Sequence, residues 1–217
     1  RQSWAREAVE HRGAYDVAIA QGLHRRGGGD PADGSSMEDQ RVRLPQSVWE
    51  ANHLVETLRY GENGHQAAAL YVAHDAPEGH TTLVTAHVEG GKAMSYNNYS
   101  DADATLRLCR SLSTDEWPST PHACVIVKHN NPCGAALGAT QLEAFEMALA
   151  SDPESAFGSI ICFNEVVDET TAEAVGELFV EVMMAPGYTD QAKAVLMAKK
   201  NRRLLTIDSP GDRLEPL

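Results

Sequence analysis

The sequence predicts an α/β fold: a layered mixed sheet with flanking helices. Three observations support this. Between residues 81 and 207, short apolar runs alternate with stretches of helical periodicity, the pattern of helices packed on a largely parallel or mixed sheet. Two of the runs, CVIV at Cys124–Val127 and SIICF at Ser159–Phe163, are apolar apart from Ser159, as strands covered on both faces are. The hydrophobic fraction, 42%, suits a packed core rather than a disordered chain.

Taken in order, Trp4–Leu23 has helical spacing, with Trp4, Ala8, Val9, Tyr15, Ile19 and Leu23 available for burial. It ends at His24-Arg25-Arg26 followed by three glycines, a basic last turn and then helix breakers. Residues 27–40 are rich in Gly, Asp and Ser and read as a linker. Beyond it, Thr81–Val88 is a strand candidate, Asp101–Leu112 a helix and Cys124–Val127 a strand. Gln141–Ala150 is helical, Ser159–Phe163 a strand and Thr170–Leu178 a helix. Phe179–Ala185 is a strand, Asp190–Lys200 a helix and Leu204–Ile207 a last strand. No internal repeat is visible, and the chain stops soon after a strand, which suggests an incomplete domain.

The bulk numbers narrow the function. A net charge of −13 argues against general nucleic-acid binding, because a phosphate backbone calls for a basic surface. No run approaches the roughly 18 apolar residues that span a bilayer, and the start has no signal-peptide pattern, so a cytoplasmic location without membrane attachment is expected. Cys109, Cys124, Cys133 and Cys162 show no CxxC spacing, which disfavours structural zinc. Cys124 and Cys162 lie in apolar runs and read as buried thiols.

Candidate chemistry is densest at Val127-Lys128-His129-Asn130-Asn131-Pro132-Cys133-Gly134. This run follows a buried strand, and Pro132, Gly134 and Gly138 read as a turn before the next helix. Ligands gather at the carboxyl ends of strands in open α/β sheets. A Lys beside a His there offers a cation and an imidazole, a side chain that titrates near neutrality. A solvated turn fits the same spacing, and both readings stand at this level. In Arg59-Tyr60-Gly61-Glu62-Asn63-Gly64-His65-Gln66, Arg59 can hold a phosphate and Tyr60 can stack on a ring, although Gly-Glu-Asn-Gly is also an ordinary turn. Gly90-Gly91-Lys92-Ala93-Met94 lacks phosphate-loop spacing. The Ser95-Tyr96-Asn97-Asn98 run after it reads as a loop before a helix capped near Asp101. Gly158, after Phe157, permits close backbone approach to a ligand. Glu181 interrupts an apolar strand; it needs donors if buried and signifies nothing if it faces solvent. A zinc deaminase would carry H-x-E and P-C-x-x-C. His87-Val88-Glu89 and Pro132-Cys133 supply part of that, but position 136 is Ala, so a ligand is missing and the reading fails.

Five segments resemble, in order, the bifunctional purine-biosynthesis family that joins AICAR formyltransferase to IMP cyclohydrolase. They are LRYGENGHQAAALY, GGKAMSYNNYSDADA, VIVKHNNPCGAALG, SDPESAFGSIICFNEVVDETTAEAV and FVEVMMAPGYTDQAKAVLMAKKNRRLL, within residues 57–205. The resemblance implies a cytidine-deaminase-like subdomain without zinc at 41–217, incomplete, with 1–26 as the last helix of the cyclohydrolase domain. It implies formyl transfer from the co-substrate 10-formyltetrahydrofolate to the 5-amino group of AICAR, a product then cyclised to IMP. In this reading Lys128 and His129 are catalytic, Arg59, Tyr60, Asn98 and Gly158 contact the nucleotide, and Phe157 and Glu181 lie near the folate. A homodimer is implied, with neither nucleic acid nor a membrane as partner. Gly64 stands where the family's turn usually has Pro, which loosens the loop presenting Arg59 and Tyr60. A nucleotide-binding module without turnover, or a dimerisation fragment, is the alternative for the chain taken alone.

Overall fold

A computed structural model describes residues 2–26, 50–73, 82–84, 86–112 and 119–207. The expected linker at 27–40 lies outside these residues. The chain divides into two compact units, residues 1–55 with 71–78, and residues 56–70 with 79–217.

Helix α1 covers Gln2–Arg26, and its side chains Trp4, Val9, Tyr15 and Leu23 are exposed. The helical spacing of the sequence is therefore realised, two or three residues longer at each end. Strands β1 (Asn52–Leu58) and β2 (Ala68–Ala73) form a two-stranded sheet that the sequence reading did not include.

The other elements are β3 (His87–Gly90), α2 (Tyr96–Leu112), β4 (His122–Lys128), β5 (Asn131–Gly138), α3 (Gln141–Ser151), β6 (Ser159–Phe163), α4 (Glu169–Gly176), β7 (Val180–Ala185), α5 (Asp190–Met197) and β8 (Arg203–Thr206). Six of the strands form one mixed sheet in the order β3-β8-β7-β6-β4-β5. Within it β6, β7 and β8 run parallel, whereas β3, β4 and β5 each run antiparallel to the neighbour that joins them.

The period of two along the strands divides the apolar residues between two layers. Cys124, Ile126, Ile161, Phe163, Met183 and Leu204 pack with Phe145 of α3, Val175 of α4 and Leu196 of α5. Val125, Val127, Ile160, Cys162, Val182 and Leu205 pack with Ala102, Leu106 and Cys109 of α2. The sheet is thus covered on both faces, which explains the apolar runs. Cys124 and Cys162 are buried as expected, and burial pushes the Cys124 thiol well up; Cys162 is pushed well up by its bond to Cys109 and by burial. The α3–α5 helices start at side-chain caps: Thr140 accepts from Glu143 N at 3.1 Å, Asp168 from Thr171 N at 2.7 Å and Thr189 from Ala192 N at 3.2 Å.

Three expectations need correction. The Pro132-to-Gly138 stretch is not a turn into the next helix but strand β5, paired with β4 at the sheet's edge. An edge strand tolerates proline, and the register shift opposite Ile126 and Val127 leaves Cys133 as an extra residue beside Pro132. Gly134 is required there because a Cβ would fall 1.8 Å from the Ala148 carbonyl oxygen of α3. Second, α2 starts at Tyr96, not Asp101. Ser95 and Asn98 cap it reciprocally, with Asn98 N donating to Ser95 Oγ at 3.2 Å and Ser95 N to Asn98 Oδ1 at 3.1 Å. Third, the strand sought at Thr81–Val88 is the shorter His87–Gly90; Thr81 and Thr85 lie outside the described residues.

Edge strand β3 is fastened by Glu89, which accepts from Lys193 Nζ at 2.7 Å and Thr206 Oγ1 at 3.1 Å. The Lys193 bond is the chief reason its carboxyl titrates below the usual value of 4.5.

Candidate functional site

The candidate residues gather where the sheet's direction changes. Strand β4 ends at Lys128, and because it is antiparallel to β6 that end lies beside the start of β6 at Ser159. The parallel strands β7 and β8 start on the same side, at Val180 and Arg203. Lys128 is therefore at a strand's carboxyl end, as expected, but the groups facing it come from the amino ends of the parallel strands.

Between β4 and β5 the chain reverses through His129 and Asn130, with φ of 53° and 60°. Two central residues with positive φ make the hairpin turn that matches the strands' twist, a position favouring Asn and Gly. His129 is not a glycine, although His, like Asn, is among the residues that enter the left-handed region more readily than most. Asp101 of α2 holds the turn: its Oδ1 accepts from Asn130 N at 2.8 Å and its Oδ2 from His129 N at 3.3 Å. Asn131 Nδ2 closes the turn from below onto His129 O at 2.7 Å. The result is an exposed His129 on a backbone hydrogen-bonded from both Asp101 and Asn131.

Lys128 Nζ donates to Phe157 O at 2.8 Å. An ammonium carries three donors, so this bond orients the group and leaves capacity for a ligand. Phe157 is 61% exposed and leans on Phe179, itself 44% exposed, with ring centroids 5.1 Å apart. Gly158 sits between them with φ of 78°, a conformation that suits glycine, and its N–H donates to Phe179 O at 2.7 Å. That amide is thus engaged within the protein, and what Gly158 offers a ligand is close backbone approach.

Glu181 occupies an irregular position. Ser159 pairs with Val180 but Ile160 with Val182, so Glu181 has no partner across β6 and its side chain is turned out of the alternation. Its Oε2 accepts from Asn98 Nδ2 at 2.8 Å and lies 3.7 Å from Arg203 NH1. Neither sequence reading holds in full: the Glu181 side chain is 41% exposed, and it is nonetheless partnered. Arg203 also donates to the carbonyls of Lys92 and Ala93 at 3.1 and 3.0 Å, which fixes the Gly-Gly-Lys-Ala stretch against β8.

Lys128, His129, Asn98, Phe157, Gly158 and Glu181 therefore belong to one connected region. Arg59 and Tyr60 join it less tightly. They precede a loop closed on itself, with Gly61 N donating to Gln66 O at 2.8 Å and Gln66 N to Asn63 O at 3.0 Å. The Arg59 guanidinium lies 5.7 Å from the Tyr60 ring centroid. The loop touches the start of α2 through Asn97 Nδ2 and Glu62 O, at 3.5 Å.

Sequence reasoning missed Asp101, Arg203 and Phe179. By its position Asp101 reads as a cap for its own helix, and the signal for its role, a Lys-His-Asn tip needing amide acceptors, is legible only once the hairpin is known. Nothing in the local pattern marks Arg203 or Phe179. Chemically, the region combines a cation, an imidazole, a carboxylate and an exposed aromatic pair. Among the described residues, no group of three or more His, Cys, Asp or Glu side chains is placed to hold a metal ion, and no helix is long and apolar enough to cross a membrane.

Comparison with known proteins agrees with the segments noted above. The family model described as the AICARFT/IMPCHase bienzyme matches residues 1–216. The bifunctional purine biosynthesis protein PurH of Cereibacter sphaeroides is 42% identical over 216 residues, covering 100% of this chain and 37% of that protein. PurH of Polynucleobacter necessarius is 42% identical over 203 residues, covering 94% and 37%. The chain thus spans little more than a third of the length of the curated relatives it matches. Among solved structures, the dCMP deaminase of cyanophage S-TIM5 in its apo form overlaps with a TM-score of 0.35 and 15% identity, over 48% of this chain and 94% of that one. That overlap is too slight to carry an assignment. The match along the whole chain does carry one: this chain belongs to the AICARFT/IMPCHase bienzyme family.

Proposed function

We propose that the chain is the formyl-transfer half-site of a purine-biosynthesis enzyme, acting on AICAR with 10-formyltetrahydrofolate as co-substrate. The observation that carries this reading is the bond from Lys128 Nζ to Phe157 O, which ties the Lys-His tip to the aromatic pair and, through Gly158 and β7, to Glu181. The family match supports the same pathway.

The amine of AICAR is a weak nucleophile because its lone pair is delocalised into the ring and carboxamide. As it attacks the formyl carbon, His129 takes the proton the amine must lose. Lys128, held by one of its three donors, turns another towards the oxygen that gains charge, or towards the departing folate nitrogen. Glu181 accepts from the pterin's ring N–H and 2-amino group, with Asn98 and Arg203 fixing its orientation. Phe157 and Phe179 offer a flat apolar wall for that ring. Arg59 binds the nucleotide phosphate and Tyr60 packs on the ribose or base. Helix α1 is the end of a preceding cyclohydrolase domain, and the rest of the site comes from a second transformylase subdomain and a second protomer, in a cytoplasmic homodimer.

The reading predicts that a protein of the relatives' full length carrying these residues transfers formyl groups, whereas the 217-residue chain alone runs below about a hundredth of that rate, the loss expected when half the positioning groups are missing. A formyl-transfer assay on both, with calorimetry using AICAR and a folate, tests it. Comparable turnover by the isolated chain contradicts the half-site, and binding without turnover at full length indicates a nucleotide-binding module.

A further inference from the structure

We infer that Asp101 is a positioning residue for the transfer reaction, acting through the His129–Asn130 turn without touching either substrate. This rests on the reading of Lys128 and His129 given above.

A two-residue hairpin with both φ angles positive is comfortable for Asn-Gly or Gly-Gly, and here neither residue is glycine. An exposed tip of this kind would open to relieve itself unless something outside the hairpin held it. Asn131 contributes from within, through its bond to His129 O. The external hold comes from α2, through the Asp101 carboxylate and through Ser100, whose Oγ bonds the Asn130 side chain at 3.1 Å. Both oxygens of Asp101 are engaged, one with each of the two consecutive amides whose residues carry the positive φ. With its amide nitrogen turned towards α2, Asn130 adds a third bond to Asp101 Oδ1 at 3.1 Å and a fourth to Ser100 O at 3.0 Å. Amide-to-carboxylate bonds are charge-assisted, so Asp101 tethers the tip chiefly through the 2.8 Å bond from Asn130 N, the 3.3 Å bond from His129 N being the longer of the two.

The tether reaches the chemistry in two ways. It sets the Cα–Cβ direction of His129, and so the line along which the imidazole meets a proton. It also joins the tip to α2, whose first turn carries Asn98, the partner of Glu181. One helix therefore registers the proton-accepting tip against the carboxylate proposed for the pterin. A displacement of about 1 Å in such a geometry can cost on the order of a hundredfold in rate without altering binding.

The test uses full-length protein carrying Asp101→Ala or Asp101→Asn, with two readouts. One is kcat and KM for formyl transfer; the other is amide hydrogen exchange in the peptide covering Lys128–Asn131. Asp101→Ala is expected to lower kcat at least 30-fold with KM for AICAR within threefold of the parent, and to speed exchange at the tip at least tenfold. Asp101→Asn keeps one carbonyl acceptor and is expected to fall between the two on both readouts. Where the alanine variant does not fold, the asparagine variant carries the same comparison. Unchanged exchange shows that Asp101 does not hold the tip, and faster exchange with kcat within threefold shows that the hold does not matter for transfer. A rise in KM at constant kcat assigns Asp101 to substrate binding. Each of these overturns the proposal. If the parent itself shows no formyl transfer, the functional reading fails, and the exchange readout alone then decides whether the tether exists.

Discussion

Two turns adjoin the candidate residues of this site, one after Lys128 and one after Arg59 and Tyr60, and they are built in opposite ways. The His129–Asn130 tip is two residues long, has both residues at positive φ without a glycine, and is held from outside by Asp101 and Ser100 and from within by Asn131. The loop from Gly61 to Gln66 is longer, satisfies itself through Asn63 and Gln66, and touches the start of α2 through a long contact from Asn97. Rigid placement suits a group that moves a proton, because the rate depends steeply on geometry. A self-contained loop suits a group that binds a phosphate, because a guanidinium fork tolerates some movement of its base. The contrast separates the residues that should govern turnover from those that should govern affinity.

Asn98 offers the larger way to perturb this division. It caps α2 with Ser95 and donates to Glu181, so it serves both the helix that holds the tip and the carboxylate at the start of β7. Asn98→Ala is expected to destabilise the chain by about 1–3 kcal/mol, combining a lost cap with a lost bond to a charged acceptor. Urea denaturation of the parent and variant checks this; a change below about 0.5 kcal/mol would show that neither bond matters to folding.

Gly64 offers the smaller one. Its φ lies outside the left-handed region and a Cβ there would meet nothing within 4 Å. The glycine is therefore not demanded by the fold, and it costs the folded loop conformational entropy. Gly64→Ala is expected to stabilise by roughly 0.4–1 kcal/mol, the usual gain where the native angles accept a side chain. The same denaturation measurement decides it, and a loss of stability would mean that the loop needs the glycine after all. If the loop governs affinity, the same variant should also tighten AICAR binding modestly while leaving kcat alone.

Much of this was legible in the sequence, and the parts that were not share a physical cause. Strands β4, β6 and β7 are buried on both faces, so their apolar runs stand out even with Glu181 set into β7, and α3 starts at Gln141, where its pattern says it should. β5 was hidden because Pro132, Gly134 and Gly138 are turn residues by composition; they are tolerated in a strand only because it lies at the sheet's edge, with α3 packed closely on it. β1 and β2 were hidden because β1 is exposed along nearly all its length and β2 has no buried residue, so no core face imposes a pattern. In the site, Lys128, His129 and Glu181 are conspicuous by being polar beside apolar strands. Asp101 and Arg203 act at long sequence range, 28 residues from His129 in one case and 22 from Glu181 in the other, and no local pattern encodes that. Family resemblance named the residues, and the geometry sorted them into a tip, a wall and a loop.

The most direct test of the central claim compares His129→Ala with Arg59→Ala in the full-length protein, by single-turnover formyl transfer at increasing AICAR. His129→Ala is expected to lower the saturating rate by about 10²–10⁴-fold, the usual contribution of a positioned acid or base, with half-saturation within threefold. Arg59→Ala should raise the half-saturating AICAR concentration at least tenfold and leave the saturating rate within threefold. A His129 variant that transfers formyl at close to the parental saturating rate would contradict the assignment of proton transfer to the hairpin tip.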